Sequence, residues 1–219
     1  MKETGAAAGS AITLDAWTGE VLAVSNYPVF NPNSREALDF SGARNRALTD
    51  AYEPGSTIKT LTLVAALESD QFPIDSIVDT APGRIRVGSK KLHDPRIYGE
   101  ISVSTVIEKS SQVGVTKIAQ AVGHEAILDV LYRFGLGEST GTGFPGERAG
   151  QLPDLARWSD IEKVTLAFGY GLTATPIQLA RAYAILANGG IRRPLTLLRQ
   201  DSDALPAGQQ VIEPEVARD

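Results

Sequence analysis

The chain has 219 residues, 42% of them hydrophobic, with 21 Lys and Arg against 26 Asp and Glu for a formal net charge of -5, and it contains no cysteine. The apolar fraction sustains a packed core and excludes global disorder, and the mildly acidic balance, with no dense basic patch in the order of residues, argues against a nucleic-acid surface. The missing cysteines exclude disulfides, thiol nucleophiles and thiolate metal sites, and the two histidines, His93 and His124, are too far apart in sequence to suggest a metal centre.

Alternating apolar residues predict a hairpin, with Ser10 to Asp15 as its first strand, Ala16 to Gly19 as the turn and Glu20 to Asn26 as its second strand. Pro28, Pro32 and Asn33 end strand character, and the segment to about Tyr52 reads as ordered loop with a short helix. A helix over 56–69 carries Ile58, Leu61, Leu63, Val64, Ala65 and Leu67 round most of its circumference, which predicts burial on nearly all sides. The Pro- and Gly-rich stretch over 79–100 predicts loop or short strands.

Further helices are predicted from Ser102 to about Ser110, from near Gly114, and from Glu125 to Phe134, where Gly135 sits as a left-handed cap. Residues 135–157 form a long connection. Ser159-Asp160-Ile161-Glu162 and Thr175-Pro176-Ile177-Gln178 have the spacing of helix-opening boxes, and Gly189-Gly190 stops the last helix after Asn188. No run approaches the roughly 20 apolar residues that span a bilayer. One α+β domain over 1–219 is expected, with the hairpin at 10–26, the key helix at 56–69 and a helical region over 102–188. Two strands with at least five helices leave a sheet short of partners, so strands beyond the C-terminus are expected.

Chemistry is carried by Ser56-Thr57-Ile58-Lys59. Residues three apart share a helix face, so a hydroxyl and an amine can meet at a positively polarised helix end. Burial would lower the lysine pKa and let the amine serve as a base. The same spacing fits a capping serine followed by a solvated lysine. Ser56 is nevertheless the one Ser or Thr in the chain with Lys three positions on, and its helix is a poor place for an idle charge.

The stretch E-P-G-S-T-I-K at Glu53 to Lys59 resembles the nucleophile motif of class B penicillin-binding proteins, especially the septal division transpeptidases. K-S-S-Q-V-G at Lys109 to Gly114 resembles their second motif, S-x-N, and F-G-Y-G-L at Phe168 to Leu172, with T-P-I-Q-L-A-R-A-Y-A after it, is similar to a later family stretch. The first hairpin, Phe30-Asn31-Pro32-Asn33, Arg44-Asn45-Arg46-Ala47 and F-P-G-E at Phe144 to Glu147 extend the likeness over most of the chain.

The resemblance implies a β-lactamase/transpeptidase-like fold, an antiparallel sheet packed against helices. It implies Ser56 as the acylated nucleophile, Lys59 as its base and Ser110 as the proton shuttle to the leaving group. Gln112 and Tyr170 become substrate contacts, and neither metal nor organic cofactor is implied.

Gln112 departs from the family's Asn. The added methylene displaces the amide from the substrate backbone and from Lys59. Ser110, Ser111 and Gln112 also fit a helix cap beside a solvated amide, and Tyr170 also fits a core aromatic under a Gly-rich turn. No Lys-Ser-Gly or Lys-Thr-Gly, the family's third motif, occurs in the chain. The implied activity is peptidoglycan D,D-transpeptidation through an acyl-serine, trapped by β-lactams, outside the cytoplasmic membrane of an anchored protein, with cell-division or glycosyltransferase partners. The alternatives are a non-catalytic scaffold of the same fold, a β-lactam sensor and a serine β-lactamase.

Overall fold

The computed structural model describes residues 3–29, 31, 33, 40–201 and 205–219. The predicted hairpin is present as β1 (Gly9–Leu14) and β2 (Val21–Tyr27), antiparallel, with a register shift between Thr13 and Leu14. Its turn is fixed by Asp15, whose carboxylate accepts from the backbone N–H groups of Trp17 and Thr18. Phe30 and Pro32, within the expected end of strand character, lie outside the described residues. Two short helices follow, α1 (Phe40–Ala43) and α2 (Arg46–Thr49).

The expected helix over 56–69 begins as a 3-10 turn, Gly55–Ile58, and becomes α-helical only at α3 (Lys59–Glu68). Ile58, Lys59 and every residue from Leu61 to Ala66 are buried, in keeping with the all-round apolar pattern. The Pro- and Gly-rich stretch after it forms β3 (Ile77–Asp79), β4 (Arg84–Val87), β5 (Lys90–His93) and β6 (Glu100–Ser102). The second half holds α4 (Val103–Glu108), α5 (Gln112–Val122), α6 (His124–Arg133), α7 (Asp160–Leu166), α8 (Pro176–Ala187), β7 (Ile191–Arg192), β8 (Gln209–Gln210) and α9 (Pro214–Arg218). Among the described residues no helix is long and apolar enough to cross a membrane.

The strands pair antiparallel in four two-stranded units, β1 with β2, β3 with β6, β4 with β5 and β7 with β8. The main core surrounds α3 and draws on α4 to α8, with Phe134, Leu136, Leu166 and Leu172 fully buried. A smaller cluster of Ala47, Leu48, Ile177 and Leu195, with Ile12, Leu14, Val21 and Val24 packed on it, seats the first hairpin against α2 and α8.

Local chemistry sets the ends of the last helices. Both predicted boxes are made: Ser159 with Glu162 opens α7, and Thr175 with Gln178 opens α8, with Pro176 in its first turn. Gln178 is fully buried, and its amide also donates to the carbonyls of Glu138 and Ala149, pinning both sides of the long connection to α8. Glu147 organises the connection itself. It accepts from the hydroxyls of Ser139, Thr140 and Thr142 at 3.0, 2.6 and 2.6 Å and from the Thr140 N–H.

Burial pushes the Glu147 carboxyl up, but hydrogen bonds from Thr140, Thr142 and Ser139 outweigh it and hold the pKa below its ordinary value. A depressed carboxylate stabilises the fold above its unfolded pKa and loses that contribution as pH falls through the folded value. Glu147→Ala is therefore expected to cost about 2 kcal/mol at neutral pH, with the difference from the parent shrinking below about pH 4. Urea denaturation of both proteins at the two pH values checks this.

Candidate active site

Lys59 is one of the largest fully buried side chains among the described residues, at 1% exposure, although its type belongs in water. Its Nζ donates to the Ser110 carbonyl at 2.5 Å and to Ser110 Oγ at 2.8 Å. The structure thus joins the first and second sequence stretches through a contact spanning 51 residues. Burial lowers the Lys59 pKa to about 8, and the negative charge of Asp94 acts against the shift.

Ser56 lies in the 3-10 turn before Lys59, a geometry in which side chains three apart eclipse one another. The Lys59 N–H donates to the Ser56 carbonyl. Ser56 is exposed, and among the described residues no hydrogen bond links its hydroxyl to Lys59 Nζ. The expected meeting of hydroxyl and amine is therefore one of sequence neighbourhood without a hydrogen bond, as is common before substrate arrives.

Ser110 reaches Lys59 because its backbone is left-handed, with φ +53°. It ends α4 in a Schellman arrangement: the Ser110 N–H donates to the Ile107 carbonyl at 3.0 Å and the Ser111 N–H to Val106 at 2.9 Å. Glycine is the usual residue here, since a Cβ in this conformation is strained. A serine at this position supplies a hydroxyl that glycine lacks.

Asp94 holds the other side of the bend, and sequence reasoning missed it. This buried carboxylate accepts from Ser111 Oγ at 2.7 Å and from the Gln112 and Val113 N–H groups at 2.6 and 3.1 Å, while Ser111 Oγ accepts from Gly114 N–H at 2.8 Å. Three free N–H groups at the start of α5 are thus satisfied by one aspartate and one serine. The only signal in the sequence was the turn-forming His-Asp-Pro at 93–95, which does not reveal a partner 17 residues away.

Gln112 is anchored by its backbone alone. Its side chain is half-buried and makes no hydrogen bond among the described residues, and both Nζ contacts of Lys59 go to Ser110. The Gln112 amide makes no hydrogen bond to Lys59 among the described residues, in line with the displacement that the added methylene implies.

The third stretch meets the first directly. The Gly55 N–H donates to the Gly169 carbonyl at 3.1 Å, and the Gly171 N–H donates to the Glu53 carboxylate at 2.8 Å. A Cβ on Gly169 would lie 2.0 Å from the Gly55 oxygen, so only glycine permits this approach. Tyr170, between the two glycines, is 48% exposed, with its ring edge-on to buried Phe168 at 5.9 Å. It is a surface aromatic and not a core residue.

An exposed serine at a helix start, a buried amine of lowered pKa and a second serine held against that amine thus share one neighbourhood, and these are residue types that nucleophilic acyl transfer uses. Among the described residues no three His, Asp or Glu side chains gather as metal ligands.

A model of the penicillin binding protein transpeptidase domain matches residues 9–219. The chain is 42% identical over 213 residues to the peptidoglycan D,D-transpeptidase FtsI of Escherichia coli K12, covering 97% of this chain and 36% of that protein. It is 37% identical over 214 residues to the probable peptidoglycan D,D-transpeptidase PenA of Neisseria gonorrhoeae, covering 98% of this chain and 36% of that protein. The chain thus spans about a third of the length of these relatives. The crystal structure of a peptidoglycan glycosyltransferase from Burkholderia ambifaria superposes with a TM-score of 0.88 at 37% identity, covering 99% of this chain and 65% of that one. The apo transpeptidase domain of penicillin-binding protein 3 from Burkholderia pseudomallei gives 0.88 at 36%, covering 99% and 61%.

Ser110→Gly and Ser110→Ala both remove the hydroxyl, but only glycine relieves the left-handed backbone. The glycine variant is expected to be about 1 kcal/mol more stable than the alanine variant in urea denaturation. Equal stability would show that the bend carries no strain.

Proposed function

The chain belongs to the penicillin-binding protein transpeptidase domain family, and we propose that it carries the acylating centre of a peptidoglycan D,D-transpeptidase. The observation that supports this best is the buried Lys59 amine, with a pKa lowered to about 8, held by Ser110 one 3-10 turn from Ser56. A scaffold domain has no use for such a lysine, whose burial costs stability.

In the proposed reaction neutral Lys59 takes the Ser56 proton as Ser56 Oγ bonds to the carbonyl carbon of the penultimate D-Ala. The tetrahedral intermediate collapses with cleavage of the C–N bond, and a proton passed from Lys59 through Ser110 leaves on the amine of the terminal D-Ala. An amine from a neighbouring stem peptide then attacks the ester carbon, the C–O bond to Ser56 breaks, and the proton lost by the amine passes through Lys59 to Ser56 Oγ, regenerating the serine. Tyr170 borders the path to Ser56, and Gln112 is the candidate contact for the substrate backbone. β-Lactams would stop at the ester stage. The reaction takes place outside the cytoplasmic membrane, and cell-division and glycosyltransferase proteins are the partners that fit it.

The unengaged Gln112 side chain and the absence of Lys-Ser-Gly or Lys-Thr-Gly from these 219 residues favour a non-catalytic domain of the same fold. Labelling with a fluorescent penicillin, read by intact mass, separates the two. The parent is expected to gain one adduct that Ser56→Ala lacks, at a rate that rises with pH through about 8 as Lys59 loses its proton. Lys59→Met is expected to slow labelling roughly 10²–10³-fold while leaving the protein folded and no less stable, since an apolar side chain suits the buried site. A folded parent that takes no adduct would favour the scaffold.

A further inference from the structure

Beside the candidate site lies a basic surface that the sequence order conceals. Residues 84–96 hold five Lys or Arg and a single carboxylate, Asp94. In the linear chain these cations are interrupted by Ile85, Val87 and Leu92, which is why no dense patch is legible there. The β4–β5 register gathers them, pairing Arg84 with His93 and Arg86 with Lys91 across the strands. Directly opposed residues of an antiparallel pair lie on one face, so these four exposed side chains form one outward surface, with Lys90 exposed at the tip.

The inner face is apolar: Val87 is buried and Leu92 packs against the main core. Like charges placed directly across strands oppose pairing, and here nothing offsets them. Among the described residues Arg84, Arg86, Lys90, Lys91 and Arg96 make no ion pair. Asp160 and Glu162, on the α7 helix packed against β4, make none with it either. The lone carboxylate of the segment faces inward, bound to Ser111 and to the start of α5.

We infer that the outer face of the β4–β5 hairpin binds the carboxylates of the peptidoglycan polymer and so delivers its peptides to the serine site. The inference rests on the proposed function, under which the substrate peptides end in carboxylate. Two observations favour this ligand. The chain as a whole carries net charge -5, so an anionic polymer is repelled from most of its surface and drawn to this one. The hairpin also runs directly into Asp94, which positions Ser111 and Gln112 beside Ser110, so a polymer held there lies next to the candidate site. The outward face carries no apolar side chain to enter a lipid layer.

The test is co-sedimentation of the 219-residue chain with insoluble peptidoglycan, with peptidoglycan whose carboxylates have been amidated, and with vesicles of phosphatidylethanolamine and phosphatidylglycerol. The variant is Arg84→Gln/Arg86→Gln/Lys91→Gln, which removes opposed like charges and leaves the inner face intact. Its binding to native peptidoglycan is expected to fall by about fivefold or more, with penicillin labelling unchanged and the melting temperature not lowered. The parent should show the same fall on amidated polymer. Undiminished binding in either case overturns the inference, and parent binding to the vesicles but not to peptidoglycan reassigns the face to lipid. Carboxylate-dependent binding by a chain that takes no penicillin would sink the catalytic reading and keep this one, whereas normal labelling with charge-indifferent binding would do the reverse.

Discussion

The chemistry of the site depends on one interaction, the burial of the Lys59 amine against the carbonyl and hydroxyl of Ser110. A lysine with 1% exposure has lost nearly all its water, and two oxygens of a single residue replace it. Those oxygens converge on Nζ only while the chain at Ser110 is left-handed. That bend is enforced from both ends, by the closing hydrogen bonds of α4 and by Asp94 at the opening of α5. The two helices leave each other little freedom. A Cβ on Gly114 would come within 2.7 Å of Val106, so α5 packs on α4 with no room for adjustment.

A second constraint carries the serine. The Gly55–Gly169 approach and the Glu53–Gly171 hydrogen bond tie the turn that bears Ser56 to the F-G-Y-G-L loop, and buried Thr62 donates from α3 to the Ala167 carbonyl at 2.8 Å. Tyr183 of α8 adds a bond to the Thr57 carbonyl at 2.9 Å. The serine is therefore exposed on a backbone fixed from two sides. This combination suits a nucleophile that must be reachable without being mobile. Lys59 and Ser56 sit on one turn but answer to different neighbours, the lysine to α4 and α5, the serine's turn to the loop after α7.

What the sequence made legible was local. The hairpin, the capping boxes at Ser159 and Thr175, the Gly135 cap and the buried helix after Ser56 each follow from patterns within about ten residues, and each is present within a residue or two. The structure brings the E-P-G-S-T-I-K, K-S-S-Q-V-G and F-G-Y-G-L stretches together, through Lys59 with Ser110 and Gly55 with Gly169. Asp94 was invisible because its role is a contact across 17 residues, set by how β5 meets α5 and not by any periodicity. The 3-10 start at Gly55 was missed for a related reason. Pro54-Gly55 signals a turn, but the approach of Gly169, which fixes that turn's geometry, comes from more than a hundred residues away. The basic face of β4–β5 was hidden by register, which sequence order alone does not supply.

Asp94 links these levels. Its charge raises the Lys59 pKa against the larger lowering effect of burial, and the outcome near 8 reflects that balance. A free carboxylate close to a buried ammonium would capture it as an ion pair and hold it charged. Here the carboxylate is engaged by one hydroxyl and two N–H groups of the α5 start, which fix its oxygens away from Nζ, and the lysine turns to Ser110. The same aspartate follows the last strand residue of the basic hairpin and donates its own N–H to the Gly83 carbonyl at 2.9 Å, closing the root of β4–β5. One carboxylate thus satisfies a helix start, leaves the amine able to lose its proton, and fixes where the cationic face stands relative to Ser110.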